Sequence, residues 1–427
     1  MSDIFIGIDL GGTGLKAVAL ESGSGATLAS ACEALPYQNR PDGACELTGV
    51  AIRHLLTFAL QAVSRQLGVR AGRVRAIGCT GHGAGLYALD AKGWLLRGRA
   101  VASTDQRAAL RARTQAARYG ELLFNEVGCR PWAGQPALIA AELLSAGELD
   151  LTELRHLLFA KDYVAYLLCG EMATDASAAG AAGLLSLATG HWSALALEVA
   201  ALSELGERAL PALVPGGTAI GRLRPMQASE CGLPVGVPVA TGTIDLWAAM
   251  VAFGAVRRGQ QVAVFGAGGV NAMVAPAREP KPDVAAIVPS GLAGQADLWL
   301  YMLGCTEASL LGPTRHHGRS HLARAEVDAV IAQHARHLSA LQARRLCPPD
   351  GVLVLGEGSQ HRRFMQLLAS MLGQAVDRCS DDDAGALGAA MLAAQSQGAS
   401  FDTPIATPER VEPDIVTGTA PEMFLTE

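Results

Sequence analysis

The chain has 427 residues, half of them apolar and 17% charged, which is material for two globular domains and not the composition of a disordered chain. A net charge of −6 and a pI near 6.0 leave no basic footprint, so small molecules are the expected partners, with no nucleic acid and no membrane. The start lacks a cationic and then apolar leader pattern, no run reaches the ~18 apolar residues of a membrane span, and the nine cysteines lie scattered without a Cys-x-x-Cys spacing, so a reducing cytoplasm is expected.

The first predicted element is the apolar run Ile4 to Leu10, broken by Asp9, followed by Gly11-Gly12-Thr13-Gly14 and a second run from Leu15 to Leu20: strand, tight turn, strand. Only four of the cations are lysines, so Lys16 directly after that turn stands out. Leu47 to Leu67 reads as an amphipathic helix, and Arg75 to Cys79 as a buried strand entering the loop Thr80-Gly81-His82-Gly83. Leu86 to Leu89 and Trp94 to Leu96 flank Asp90-Ala91-Lys92-Gly93, a hairpin signal. Gln106 to Leu202 is mostly helical in pattern and alanine-rich. Glycine and proline then crowd 205–238, which divides the chain into 1–235 and 236–427. The second half repeats the opening: Val262 to Phe265, the turn Gly266-Ala267-Gly268-Gly269, and Val270 to Val274. Later, Val352 to Leu355 leads into Gly356-Glu357-Gly358-Ser359 and a helix from about His361 to Leu372. Two halves that each open with a strand and a phosphate-sized glycine turn suggest a duplication closing over one nucleotide.

Glycines let backbone N–H groups approach phosphate oxygens without an intervening side chain. Asp9 to Lys16 adds a carboxylate suited to hydrated Mg²⁺, a hydroxyl at Thr13 and a cation at Lys16; the competing reading is a plain hairpin turn with an exposed lysine. The motif is neither Gly-x-Gly-x-x-Gly nor a P-loop, and a strand follows it, so dinucleotide-fold and P-loop readings fail on context. Phosphoryl transfer to an alcohol needs a group to take the hydroxyl proton. Asp245, between an apolar strand and an apolar helix (Leu246 to Val256), is the candidate, with helix capping as the rival explanation.

Asp9-Leu10-Gly11-Gly12-Thr13, Thr80-Gly81-His82-Gly83 with Leu89-Asp90 and Gly93, Thr104-Asp105-Gln106-Arg107, Lys161-Asp162-Tyr163, Thr174-Asp175-Ala176-Ser177, Gly190-His191-Trp192, Gly242-Thr243-Ile244-Asp245 and Ala384 to Ala390 together resemble the FGGY family of carbohydrate kinases over nearly the whole chain. Arg130 to Pro136 and His317 to Ala325 look most like its xylulose and L-xylulose kinase branch, with erythritol kinases near by. The resemblance implies an α/β, two-domain, actin-like fold (ribonuclease H-like, as in sugar kinases, Hsp70 and actin) with a central cleft for ATP and sugar. It implies an ATP- and Mg²⁺-dependent kinase acting on a small ketose or polyol, a pentulose first. Asp245 would be the general base and a Mg²⁺ contact with Asp9, while Gly11, Gly12, Thr13 and Lys16 would form the first phosphate loop. Gly266, Ala267 and Gly268 match the second phosphate loop, and Gly356 and Gly358 the adenosine turn. Gly81, His82 and Asp105 match sugar contacts; read without the resemblance, His82 is a loop histidine and Asp105 a helix cap.

Three features depart from the family pattern: Ala267 where a hydroxyl residue is usual, Glu357 where a glycine is usual, and a shortened stretch at 306–314. They leave a non-catalytic sugar- or nucleotide-binding paralogue as the alternative. Another actin-like ATPase fits the duplicated loops but not the Gly81-His82 and Asp105 region. The oligomeric state stays open, with a homodimer as one expectation.

Overall fold

Alternation within Ile4-Phe5-Ile6-Gly7-Ile8-Asp9-Leu10 decides how the first strand is used. In the computed structural model, which describes residues 2–266, 269–276, 284–305, 324–379, 383–401 and 404–414, this segment is β1 (Ile4–Leu10), buried on both faces. Ile4, Ile6, Ile8 and Leu10 share one core with Ile52, Leu56, Leu60 and Val63 of helix Gly49–Leu67. Burying side chains of that size is worth ~1.5–3 kcal/mol each. The helix starts where Thr48 Oγ1 accepts the Ala51 N–H at 3.2 Å, and it stops at Gly68, whose φ of 58° suits glycine. On the other face of β1, Gly7 lies against helix Ala384–Gln395 so closely that a Cβ there would overlap the Ala386 carbonyl.

The chain forms two compact units. The first comprises Met1–Arg257, Ala275–Tyr301 and Asp383–Ala406. Its main sheet adds β2 (Gly14–Glu21), β3 (Thr27–Ala34), β4 (Val74–Gly81), β5 (Ala219–Arg222) and β6 (Pro238–Ile244), in the order β5-β6-β4-β1-β2-β3. The β1–β2 hairpin is antiparallel, as the glycine turn predicts, while β4 runs parallel to β1 and β6 parallel to β4. Helix Ala384–Gln395 is buried along nearly its whole length. Small residues let it approach the sheet at Gly7 and Gly78 and helix Asp245–Ala252 at Gly388, where an added Cβ would strike backbone carbonyls.

The second unit comprises Arg258–Val274, Met302–Asp382 and Thr407–Glu427. Its strands β7 (Gln260–Val264), β8 (Gly269–Ala275), β9 (Gly351–Leu355), β10 (Val376–Arg378) and β11 (Glu409–Val411) run in the order β8-β7-β9-β10-β11. Both sheets contain an antiparallel pair of consecutive strands with two further strands in parallel register beside the first of them. The core of the second sheet joins Ala263, Phe265, Val352 and Val354 to Ile331, Leu338, Met365 and Leu368 of two helices, Arg324–Ala343 and Arg362–Leu372.

Several local expectations change. The arm Trp94 to Leu96 is a single bridge, Leu89 to Leu95, followed by a 3₁₀ turn at Leu96–Gly98, although Asp90 closes the expected turn by accepting from the N–H groups of Lys92 and Trp94. The helical stretch from Gln106 is interrupted by the short strand His156–Leu158, which pairs with Tyr87–Leu89. The helix after Asp245 ends at Ala252. β6 hydrogen-bonds to β4, so the segment through Arg257 belongs to the first unit.

Candidate functional site

Parallel pairing brings the carboxyl ends of β1, β4 and β6 to one edge of the first sheet. Asp9 is paired with Thr80, and both Leu10 and Ile244 are paired with Gly81. Asp9 and Asp245 therefore flank the Thr80-Gly81-His82 segment, and Lys16 lies opposite Asp9 across the β1–β2 hairpin. The glycine turn is tight: the Gly11 N–H donates to the Gly14 carbonyl at 3.0 Å, which leaves Gly12 and Thr13 exposed at its tip. Gly81 is required by close approach, since a Cβ would sit 2.7 Å from the Leu10 carbonyl.

The two carboxylates are half-buried, with Asp9 Oδ1 itself shut off from solvent. Desolvation first, then the negative charge of Asp245, raise the Asp9 pKa from 3.8 to about 7; Lys16 opposes the rise and Asp383 adds to it. Burial raises Asp245 from 3.8 to about 6, against the Leu246 N–H that its Oδ1 accepts at 2.7 Å. The residue at the capping position of that helix is Ile244, and Asp245 is its first residue, so the carboxylate is not the conventional cap. Asp9 Oδ1 is buried without a hydrogen-bond partner, and Gly385 is so close to Asp9 Oδ2 that any side chain there would displace it. An orphaned carboxylate oxygen beside a glycine-lined gap suits a hard cation that keeps waters and substrate phosphates as its other ligands. Gly385 and Asp383 escaped the reading of individual residues, because only the docking of helix Ala384–Gln395 on β1 brings them to Asp9.

His82 is 8% exposed, and burial lowers its pKa to about 4, so it is a neutral imidazole at physiological pH. Its Nε2 is 3.4 Å from the Tyr87 hydroxyl and its Nδ1 is buried without a hydrogen-bond partner. Gly85, with φ of +92°, has no room for a Cβ between His82 Cε1 and the Ser103 N–H, each 3.1 Å from the position it would take, which brings His82 beside the segment that carries Asp105. Asp105 is not a cap of the following helix, which begins at Ala109. Its Oδ2 accepts the Cys45 N–H at 2.9 Å and Arg107 Nη2 at 2.8 Å, while its Oδ1 accepts the Arg107 N–H at 3.0 Å.

In the second unit the expected nucleotide segments meet at Phe265. Its N–H donates to the Leu355 carbonyl at 2.9 Å and its carbonyl accepts the Gly358 N–H at 3.0 Å, so Gly266 and the turn Gly356-Glu357-Gly358 are neighbours. Gly356 adopts φ of +86°, and a Cβ there would overlap the Phe265 carbonyl. Glu357 is exposed. Ala267, Gly268 and the shortened stretch at 306–314 lie outside the described residues.

Residues 4–252 match the FGGY family of carbohydrate kinases, N-terminal domain, and residues 300–396 match its C-terminal domain. The chain belongs to the FGGY family of carbohydrate kinases. Among curated relatives, it is 27% identical to the xylulose kinase of Escherichia coli K12, covering 91% of this chain and 89% of that one. It is 23% identical to a probable L-xylulose kinase of Pasteurella multocida, over 93% and 92% of the two chains. The crystal structure of xylulose kinase from Rhodospirillum rubrum superposes with a TM-score of 0.80 at 20% identity, over 96% of this chain and 94% of that one. The two-domain α/β sugar-kinase fold expected from the sequence is therefore present. As an FGGY kinase the protein is an ATP-dependent phosphotransferase acting on a carbohydrate, and matches at both domains leave the non-catalytic alternative without support.

Proposed function

We propose that this kinase transfers the γ-phosphoryl group of ATP to a hydroxyl of a five-carbon ketose of the xylulose kind. The observation that carries the reading is the half-buried pair Asp9 and Asp245 at the carboxyl ends of β1 and β6, both with pKa values raised toward neutrality. Asp245 is the general base: it is ionised above about pH 6 and takes the proton from the attacking hydroxyl. Asp9, with its unpartnered Oδ1, would hold Mg²⁺ together with Asp245. When bound, Mg²⁺ supplies charge neutralisation at the transferring phosphoryl group. Gly12, Thr13 and Lys16 approach the phosphates from the β1–β2 turn, which Gly11 tightens. Gly266, Ala267 and Gly268, with Gly356 and Gly358, are the proposed nucleotide contacts of the second unit. Gly81 and the neutral His82 face the sugar, as does Asp105, whose carboxylate Arg107 orients.

The choice of a pentulose is supported by the names of relatives that match over nine-tenths of the chain. A reducing, cytoplasmic setting is supported by eight free cysteines among the described residues. A coupled ADP-release assay over D- and L-xylulose, ribulose, hexuloses, gluconate, glycerol and erythritol tests the reading. A pentulose should have the highest kcat/KM, and deoxy analogues should lose a large factor because they strand the buried groups that read each hydroxyl. A hexulose, an acid or a triol outperforming both xyluloses would overturn it.

A further inference from the structure

The residue before Asp245 is held by side chains that the reaction itself does not use. Pairing of β6 with β4 runs in register to Thr241, shifts, and resumes only at Ile244. At this irregularity the backbone is bonded by side chains. Thr80 Oγ1 donates to the Thr243 carbonyl at 2.6 Å, and the Ile244 N–H donates to Ser177 Oγ at 2.9 Å. Ser177 Oγ donates in turn to Asp175 Oδ2 at 2.5 Å. Asp175 Oδ1 is 3.0 Å from Lys161 Nζ, which also reaches Asp162 Oδ1 at 2.6 Å and Thr241 Oγ1 at 3.0 Å. Thr80, Lys161, Asp175, Ser177 and Thr241 are all 0–1% exposed.

Capping alone does not account for this arrangement. Asp175 already satisfies the first turn of the short helix Ala176–Ala181 through the N–H groups of Ser177 and Ala178, with no need of the Ser177 hydroxyl or of Lys161. Buried ion pairs of this kind are weak contributors to net stability, and in some proteins their role is to specify geometry. The network closes on both sides of the irregularity, at Thr241 and at Thr243–Ile244, one residue short of the carboxylate. We infer that Thr80 and Ser177, the latter anchored through Asp175 to Lys161, are positioning residues that hold the backbone at Thr243–Ile244 and so aim the Asp245 carboxylate. The inference rests on the reading of Asp245 as the base. A displacement of about 1 Å at a reacting group can cost on the order of 100-fold in rate.

The test compares the full-length wild type with Ser177→Ala, Ser177→Thr, Thr80→Val, Asp245→Asn and a control, Ser193→Ala. Ser193 caps a distant helix through the Ala196 N–H and is equally buried. Steady-state kinetics with D-xylulose and Mg-ATP are read beside hydrogen exchange of the peptide spanning 243–246. Ser177→Ala and Thr80→Val should each lower kcat about tenfold or more while both KM values move less than about twofold, with exchange rising in that peptide. Ser177→Thr should restore much of the rate, and Ser193→Ala should change neither readout. Unchanged kcat in Thr80→Val and Ser177→Ala, or unchanged exchange at 243–246, overturns the inference, as does an equal loss in Ser193→Ala. If Ser177→Ala does not fold, the Thr80→Val arm decides alone. Asp245→Asn retaining the full rate would instead remove the general-base reading, whatever the serine variants do.

Discussion

Replacing Asp9 with asparagine should make the metal-free protein relatively more stable as pH rises, while removing its activity. Asp9 carries a carboxyl whose pKa is about 7 in the folded chain and 3.8 as the reference value. A group raised in this way contributes stability below the unfolded value and loses it as pH climbs through the folded value. A shift of about three units corresponds to roughly 4 kcal/mol between pH 4 and pH 8. An asparagine side chain carries no charge, so the variant's stability lacks this slope. The amide brings its own penalty of roughly 1–3 kcal/mol for a buried polar group without a partner, since Asp9 Oδ1 has none. Asp9→Asn should therefore lie within about 1.5 kcal/mol of wild type near pH 5 and be more stable by about 1–3 kcal/mol near pH 8. Urea unfolding in EDTA at pH 5, 6, 7 and 8 measures the difference, and added Mg-ATP should stabilise wild type far more than the variant. A stability difference that is flat with pH, or that falls as pH rises, would refute the placement of Asp9 as a desolvated carboxylate facing Asp245.

Asp245→Asn should reduce sugar-dependent ADP formation by about 10²–10⁴-fold and leave the dissociation constant for nucleotide nearly unchanged, as measured by calorimetry. The wild-type kcat/KM should rise with pH across roughly 6 to 7 as the Asp9 and Asp245 pair ionises; a rate independent of pH between 5 and 8 would contradict a carboxylate base in this setting. Gly385→Ala should fold but lose more than about tenfold in turnover, because its methyl would displace Asp9 Oδ2; wild-type kinetics in that variant would show that the carboxylate position is not critical. Lys161→Met should destabilise by about 3–5 kcal/mol in urea unfolding, since it strands the buried carboxylates of Asp162 and Asp175. A loss below about 1 kcal/mol would mean that those carboxylates are neutral without the lysine.

Local pattern determined a good deal about this protein. The two glycine-turn hairpins, helix Gly49–Leu67, the strand entering Gly81-His82 and the strand-to-helix junction at Asp245 were all legible, because each is written in hydrophobic periodicity and turn residues within ten to twenty positions. The same pattern misplaced the second arm at Trp94 to Leu96, where one bridge is all the neighbouring chain supports. It also divided the chain at a glycine- and proline-rich stretch, whereas β6 finds its partner more than 150 residues earlier, in β4. The candidate site depends on still longer contacts. Asp9 is conspicuous in the sequence at the end of an apolar run, but its raised pKa comes from burial and from Asp245 and Asp383, which are distant in sequence. Gly385, Thr80 and Ser177 fall inside segments that carry the family resemblance, but nothing local assigns them a role at the site, since an alanine-rich helix, a strand threonine and a helix-start serine are ordinary by themselves. Only tertiary structure gives them one: parallel pairing of β1, β4 and β6 gathers their carboxyl ends, and close docking of helix Ala384–Gln395 at Gly7 and Gly78 closes the space around Asp9. A carboxylate is ionised in an unfolded chain at neutral pH; it acquires a perturbed pKa only when folding removes its water and brings another negative charge beside it.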